Sequence, residues 1–378
     1  MSKINVRSPY FITDNSTSSG SALASAILYI RIYTGAASTN LTQTPEYTIN
    51  STAINGSVTF EVSELVRDYI ENTFNGDYTG SIKWFNYNIK RTYENTSVST
   101  TSQQNLAIFD GYGYFEDGAN PQNLQSALQS NTTIFTNDFA NINIPIHVTE
   151  DTTVSYLKGG EIIFTKDLVY SINSADQVQY VQNSSLDADV FKKRVDAITG
   201  TTLEAFNCVK NIASDVYQEF DADSIYIDKG GVIEVIKIEE VEECKYNPYK
   251  VTFVNKFGVL QDLWFFKRSN LSLNTQQESY KANIVTDGTY SINSRQKTVF
   301  NKTGMERLQL NTGFYPESYN DVFRQLTLSE EVWINYDGDT LPINVMSSSL
   351  NYKTSVNDKL INYTIDVEFA NNKINNIR

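Results

Sequence analysis

The chain has 378 residues, of which 40% are hydrophobic and 20% charged, and this balance excludes a wholly disordered protein. Its formal net charge of −14 argues against general binding to nucleic-acid backbones, because that affinity comes from Lys and Arg displacing counterions. No run of about 18 apolar residues could span a bilayer and the first ten residues lack a signal-peptide core, so folding in a cytosol is expected.

Aromatic residues are unusually frequent, with 24 Tyr and 20 Phe. Together with Thr, Val and Ile they favour strands, while Asn, Ser, Gly and Asp populate turns. We therefore predict a mainly β, multi-domain protein, with an N-terminal antiparallel β-sandwich followed by β-rich domains and a few short helices.

The sandwich is predicted at residues 1–118. Residues 25–35 and 80–93 have the alternation of half-buried strands, and Ser63 is predicted to cap a short helix. A linker is predicted at residues 119–140.

A β-rich middle domain is predicted at residues 141–270. It includes strands near 144–148 and 161–166, a hairpin turning at Gly230 and Gly231, and a helix at 186–198.

The densest aromatic segment lies at the end of this domain, in residues 244–269. Two strands flank a turn at Lys256, Phe257 and Gly258, and Trp264, Phe265 and Phe266 are consecutive. Since successive side chains of a strand point to opposite faces, both faces of this hairpin must be covered, either by this chain or by a neighbouring subunit. An exposed edge strand is not expected here.

A C-terminal β-rich domain is predicted at residues 271–378. A polar passage follows Ser269, with only short strands near 282–285, 297–301 and 307–310. A helix is predicted at 317–326, entered by Pro316, and a half-buried strand at 360–369.

Catalytic motifs are not recognisable. The single histidine, His147, lies in an apolar strand without a nucleophile or metal motif beside it and is interpreted as structural. Acidic pairs such as Asp110 with Glu116 are expected by chance among 44 acidic residues. We predict no enzyme activity, no cofactor and no metal, and we interpret Cys208 and Cys244 as small buried or half-buried residues and not as a disulfide.

Interaction surfaces are better supported, because aromatic residues stand beside cations at two places. Such clusters can form interface cores, stack on sugars, or simply be domain core with a wet edge. The candidate interface residues are Trp84, Phe85, Trp264, Phe265, Phe266 and Arg268.

Several segments resemble a family of virion structural proteins of tailed bacteriophages, crAss-like and marine phages among them. They are KINVRSPYFI at the N-terminus, FDGYGYFEDGAN at 109–120, KYNPYKVTFVNKFGVLQDLWFFKRS at 245–269, GFYPESYNDVFRQLTLSEEVWI at 313–334 and SLNYKTSVNDKLINYTIDVEFA at 349–370. The resemblance implies a component of the neck, tail or baseplate that assembles into a ring or symmetric complex and uses no cofactor. It assigns no individual binding or catalytic residue.

The favoured hypothesis is therefore a structural subunit of a phage particle, assembled in the host cytoplasm, with copies of itself and other particle proteins as partners and with no specific nucleic-acid binding. One alternative is a β-sandwich protein that binds host-surface glycan through Trp84, Trp264 or Trp333. A carboxylate-based glycosidase is a remote third hypothesis.

Overall fold

The computed structural model describes residues 3–34, 38, 40–70, 72–78, 83–121, 127–129, 132–137, 142–147, 151–168, 178–182, 222–347 and 360–374. Within these ranges the chain is mainly β, with several sheets and a few short helical segments, which confirms the predicted fold class. The helix predicted at 186–198 and Cys208 lie outside the described residues.

The chain divides into two compact units. The first comprises Met1–Glu242 and Thr252–Leu263, and the second comprises Glu243–Val251 and Trp264–Arg378. The domain boundaries near residues 119–140 and 270 stay predictions.

The N-terminal part of the first unit contains a six-stranded sheet and a two-stranded ribbon. Its elements are β1 (Lys3–Asn5), β2 (Phe11–Asp14), β3 (Leu23–Thr34), β4 (Tyr47–Thr52), β5 (Val58–Glu61), α1 (Ser63–Arg67), β6 (Lys83–Tyr93), β7 (Val98–Thr100) and β8 (Gln104–Phe109). The sheet order is β1-β8-β6-β3-β4 with β7 paired to β6, and β2 pairs with β5. One pair departs from the predicted antiparallel arrangement, because β1 runs parallel to β8.

The alternation of more and less buried side chains along its strands explains how this part folds. Leu28 and Ile30 of β3 are fully buried and share a core with Ile12 of β2 and Phe60 of β5, so the sheet and the ribbon cover each other's apolar faces. The predicted cap at Ser63 is wrong, since α1 begins at Ser63 itself and its backbone N–H and hydroxyl both donate to the Glu61 carboxylate.

A second core belongs to the same unit. Its strands are β9 (Thr133–Thr136), β10 (Asn143–His147), β11 (Thr152–Lys158), β12 (Glu161–Leu168), β13 (Val178–Gln182), β14 (Ser224–Lys229) and β15 (Val232–Glu240). A five-stranded sheet has the order β12-β11-β14-β15-β9, and β10 pairs with β13. Ile144, Val154 and Ile225 are fully buried in this core. Gly230 and Gly231 take positive φ between β14 and β15, as the predicted turn requires.

The aromatic hairpin forms as predicted. Its strands are β16 (Tyr249–Val254) and β17 (Leu260–Phe265). The Asn255 side-chain oxygen accepts hydrogen bonds from the backbone N–H groups of Phe257 and Val259, and Gly258 takes φ +74°.

Most of this hairpin, Thr252–Leu263, belongs to the first unit, and further elements follow it in the second unit. They are β18 (Lys267–Lys281), β19 (Lys297–Asn311), β20 (Tyr315–Pro316), α2 (Asn320–Leu328), β21 (Val332–Tyr336), β22 (Asp339–Val345), β23 (Leu360–Ile361) and β24 (Thr364–Phe369). A seven-stranded sheet has the order β17-β16-β21-β22-β24-β19-β18. The edge position of β17 was not expected, yet none of its six side chains is exposed.

The helix predicted at 317–326 is confirmed with a shift toward the C-terminus, because Glu317–Tyr319 form a 3₁₀ turn before α2 begins. Val322, Phe323 and Leu326 give α2 its buried face.

The prediction for residues after Ser269 is wrong in part. The strands predicted near 297–301 and 307–310 both lie within β19, whereas 282–285 is not a strand. Where a polar passage with short strands was expected, β18 and β19 are each 15 residues long and pair along their length. They contain too few buried residues for the apolar alternation that identifies a strand.

Candidate functional site

The candidate residues on β6 belong to the interior. Trp84 and Phe85 have 0% exposed side-chain area and point to opposite faces of the strand. Trp84 packs with Phe109 and Val259, whereas Phe85 joins the core that contains Leu28. Neither presents a surface to a partner in this conformation.

Two of the candidate residues at the end of the aromatic hairpin, Trp264 and Phe266, form a stack. Phe265 and Phe266 are buried, and Trp264, which is half-buried, lies with its ring centroid 6.4 Å from that of Phe266. The Tyr315 hydroxyl donates to the Trp264 carbonyl at 2.7 Å, and burial raises the pKa of Tyr315 well above its ordinary value. Arg268 is exposed. Contact of Trp264 or Arg268 with another subunit stays a prediction.

Stacking platforms for sugars are scarce among the tryptophans. Trp84 and Trp333 are 0% and 7% exposed, so of the three proposed platforms only Trp264 retains a partly accessible ring. Within the described residues, the glycan-binding alternative is therefore left with the Trp264 ring as its one tryptophan platform.

A buried polar cluster surrounds the single histidine. The Lys3 ammonium lies 2.6 Å from His147 Nδ1, and the Phe109 ring contacts both side chains. Burial, followed by repulsion from Lys229, lowers the pKa of Lys3 to about 7. Burial, followed by repulsion from Lys3 and Lys229, lowers the pKa of His147 well below its ordinary value, so His147 is neutral inside the first unit.

The hairpin turn is fixed by the segment that follows β8. The Tyr112 backbone N–H donates to the Lys256 carbonyl at 2.9 Å, and the Lys256 ammonium lies 3.0 Å from an Asp117 carboxylate oxygen and 3.9 Å from the Tyr114 ring centroid. The cation of the hairpin turn is therefore held by intramolecular partners.

One surface feature remains, the hairpin of β18 and β19. We call residues 270–305 the arm. In the described part of the chain, residues 297–303 of β19 pair only with β18. The hairpin of β18 and β19 therefore continues beyond its sheet by about 23 Å at 3.3 Å per residue. Eight large apolar residues of the arm are at least 45% exposed: Leu271, Leu273, Tyr280, Val285, Tyr290, Ile292, Val299 and Phe300.

The part of the arm beyond its sheet, residues 276–303, is called the outer arm, and its two faces differ. Glu278 pairs with Phe300 and Tyr280 with Thr298, and the rings of Tyr280 and Phe300 touch at 5.8 Å between centroids. The opposite face bears Val299 and a cross-strand pair of lysines, Lys281 and Lys297. One face is therefore aromatic and the other is cationic with an apolar centre.

Charge separates the arm from the rest of the protein. The arm has four Lys and Arg residues against two acidic ones, so its net charge is +2, whereas the other residues sum to −16 within the total of −14. The basic residues are Lys281, Arg295, Lys297 and Lys302.

The sequence interpretation missed this arm, although one signal pointed to it. Asp287 and Gly288 take positive φ, 52° and 75°, between bridged Thr286 and Thr289, and an Asp-Gly dipeptide is a strong hairpin signal. A second correction concerns Cys244, which is exposed and not buried or half-buried.

Other site types are not found where the structure can test them. Among the described residues, no group of three His, Cys, Asp or Glu side chains could hold a metal ion. Of the helices within those same residues, none combines the length and apolarity needed to cross a membrane. No protein-family model matches the chain, and no curated protein matches it significantly.

Proposed function

We propose that the chain is a structural subunit of a tailed-bacteriophage particle, in its neck, tail or baseplate, and that it works through contacts with other protein chains. The observation that supports this best is the arm, which exposes large apolar residues on a ribbon of two strands. An isolated two-stranded ribbon is marginally stable in water, so an arm of this length is expected to gain stability by binding a partner.

Two further observations support the proposal. The segments quoted above resemble phage virion proteins, and they include the hairpin of β16 and β17, whose aromatic residues stabilise the interior. The net charge of −14 suits a subunit near packaged DNA, because an acidic surface does not adhere to phosphates.

The proposal is tested by deleting the coding gene from the phage that carries it. Particles made without the chain should lack a neck, tail or baseplate feature in electron micrographs, and wild-type particles should contain its peptides in mass spectra. Complementation with the wild-type gene is the control and should restore the feature. Complete, infectious particles formed without the chain would exclude a structural role.

A further inference from the structure

The outer arm contains a pair of like charges that its own chain does not explain. Lys281 and Lys297 are directly opposite each other across the ribbon, and both are exposed. Like charges at such a position destabilise a pair of strands, because their β-carbons are about 5 Å apart. An anionic partner would convert this repulsion into attraction.

The same face offers an apolar contact. Val299 is 45% exposed beside the two lysines, and residue 299 pairs with the small Ser279. The partner surface should therefore combine carboxylates with an exposed apolar side chain on a flat face.

Such a surface exists on the first unit of this protein, on the outer face of the five-stranded sheet. Asp167, Thr153, Asp228 and Ile233 lie in one row across β12, β11, β14 and β15, since each is the register partner of the next. Ile233 is 59% exposed, and Tyr226 in the adjacent row is 37% exposed. We call Asp167, Thr153, Asp228 and Ile233 the acidic row.

The spacing of the acidic row suits the lysine pair. Asp167 and Asp228 are two strands apart, which is about 9.6 Å at 4.8 Å per strand, with the short Thr153 between them. Two lysine side chains can spread to such a distance, and Val299, which lies two residues along the strand from Lys297, would then lie over the adjacent row that contains Tyr226.

We propose that the arm of one copy binds the acidic row of a second copy. This inference rests on the proposed function, because it specifies how structural subunits would associate. The contact joins two different surfaces, so repetition produces a ring if the rotation closes and a filament if it does not.

The test is sedimentation velocity of the full chain over a range of protein concentrations and salt. The wild-type protein should self-associate at low ionic strength, and raising the salt to about 0.5 M should weaken the association at least tenfold, because the contact is between opposite charges. The variant Lys281→Glu with Lys297→Glu should reduce the association constant at least tenfold.

A matched control changes the net charge by the same amount at positions outside the arm. Lys90 and Lys245 are exposed and lie outside the arm, so Lys90→Glu with Lys245→Glu should leave the association within about twofold of the wild type.

A charge exchange guards against loss of folding. Asp167→Lys with Asp228→Lys should abolish association, although Asp228 also accepts a hydrogen bond from the Gly231 N–H in its turn. A chain that carries all four substitutions should regain association, which an unfolded variant could not do. The proposal would be overturned if the wild-type chain stays monomeric. It would also be overturned if the variant with all four substitutions remains folded but fails to associate.

These outcomes are separable from those of the proposed function. A monomeric chain that is nevertheless required for complete particles would overturn this inference alone. A chain that associates through the arm but is dispensable for the particle would overturn the proposed function alone.

Discussion

Two hairpins follow one another in the chain and differ in almost every respect. The strands β16 and β17 are short, aromatic and covered, whereas β18 and β19 are each 15 residues long and mostly exposed. The first is held by burial of side chains such as Phe253, which is fully buried. The second is held mainly by its own backbone hydrogen bonds and cross-strand pairs. Burial therefore stabilises the first hairpin, whereas most side chains of the second remain exposed to solvent.

The largest effect is expected at the centre of the covered hairpin. Phe253→Ala should lower the free energy of unfolding by about 3–5 kcal/mol, because it removes a buried ring and leaves a cavity. Urea denaturation followed by circular dichroism measures this. The matched change on the arm, Phe300→Ala, should cost less than about 0.5 kcal/mol, and equal losses at both sites would contradict the comparison.

The contrast between covered and exposed residues extends to charge. Lys3 has its pKa lowered in the native protein to about 7, so above that pH the unfolded state binds more protons than the native state. The free energy of unfolding should therefore rise between pH 7 and 10, by about 2–4 kcal/mol from this group.

Lys3→Met should remove this pH dependence, as measured by urea denaturation at several pH values. Phe300→Ala alters no titrating group and should keep the wild-type slope. A slope that survives Lys3→Met would show that another group is responsible.

Turns provide a third comparison. At Gly258 an added Cβ would lie 2.9 Å from the backbone nitrogens of Asp110 and Gly111, and φ is +74°. Gly258→Ala should therefore destabilise the protein by about 2–3 kcal/mol. Thermal denaturation should detect this, and Gly288→Ala, whose Cβ meets no atom within 4 Å, should cost less. An equal cost at both positions would mean that φ alone determines the penalty.

The smallest effect is expected at a bulge of the arm. Asn301 has φ +49° where β19 carries an extra residue opposite β18. Asn301→Gly should change the free energy of unfolding by no more than about 0.5 kcal/mol, in the stabilising direction, because glycine adopts positive φ without strain. Thermal denaturation that shows a loss above 1 kcal/mol would indicate that the Asn301 side chain has a structural role.

The sequence predicted the strands in which buried apolar side chains alternate with more exposed ones. In β3 and in residues 361–367 the apolar positions recur with period two and are buried, so the strands were recognisable. Local chemistry likewise identified the turns at Gly230 and Gly258. Such signals arise wherever one face of a strand meets a core.

What escaped prediction depends on long-range pairing. Residues 267–281 are almost entirely exposed, so no alternation marks them as a strand, and the pairing with β19 is visible only in the fold. The acidic row was also unpredictable, since Asp167 and Asp228 are brought together by register across three strands. Trp84 shows a different limit, because aromatic residues beside cations suit either an interface or a domain core, and only the fold shows that Trp84 packs inside.

The parallel pairing of β1 with β8 has a consequence for folding. Lys3, Ile4 and Asn5 find their strand partners only at residues 107–109, so during synthesis β1 must wait for about one hundred further residues before it can pair. Contacts of such sequence separation carry a large loop-closure entropy and slow the search for the native state. Ile4, fully buried in the mature core, is therefore an exposed apolar residue during synthesis, when a chaperone would find its strand still unpaired.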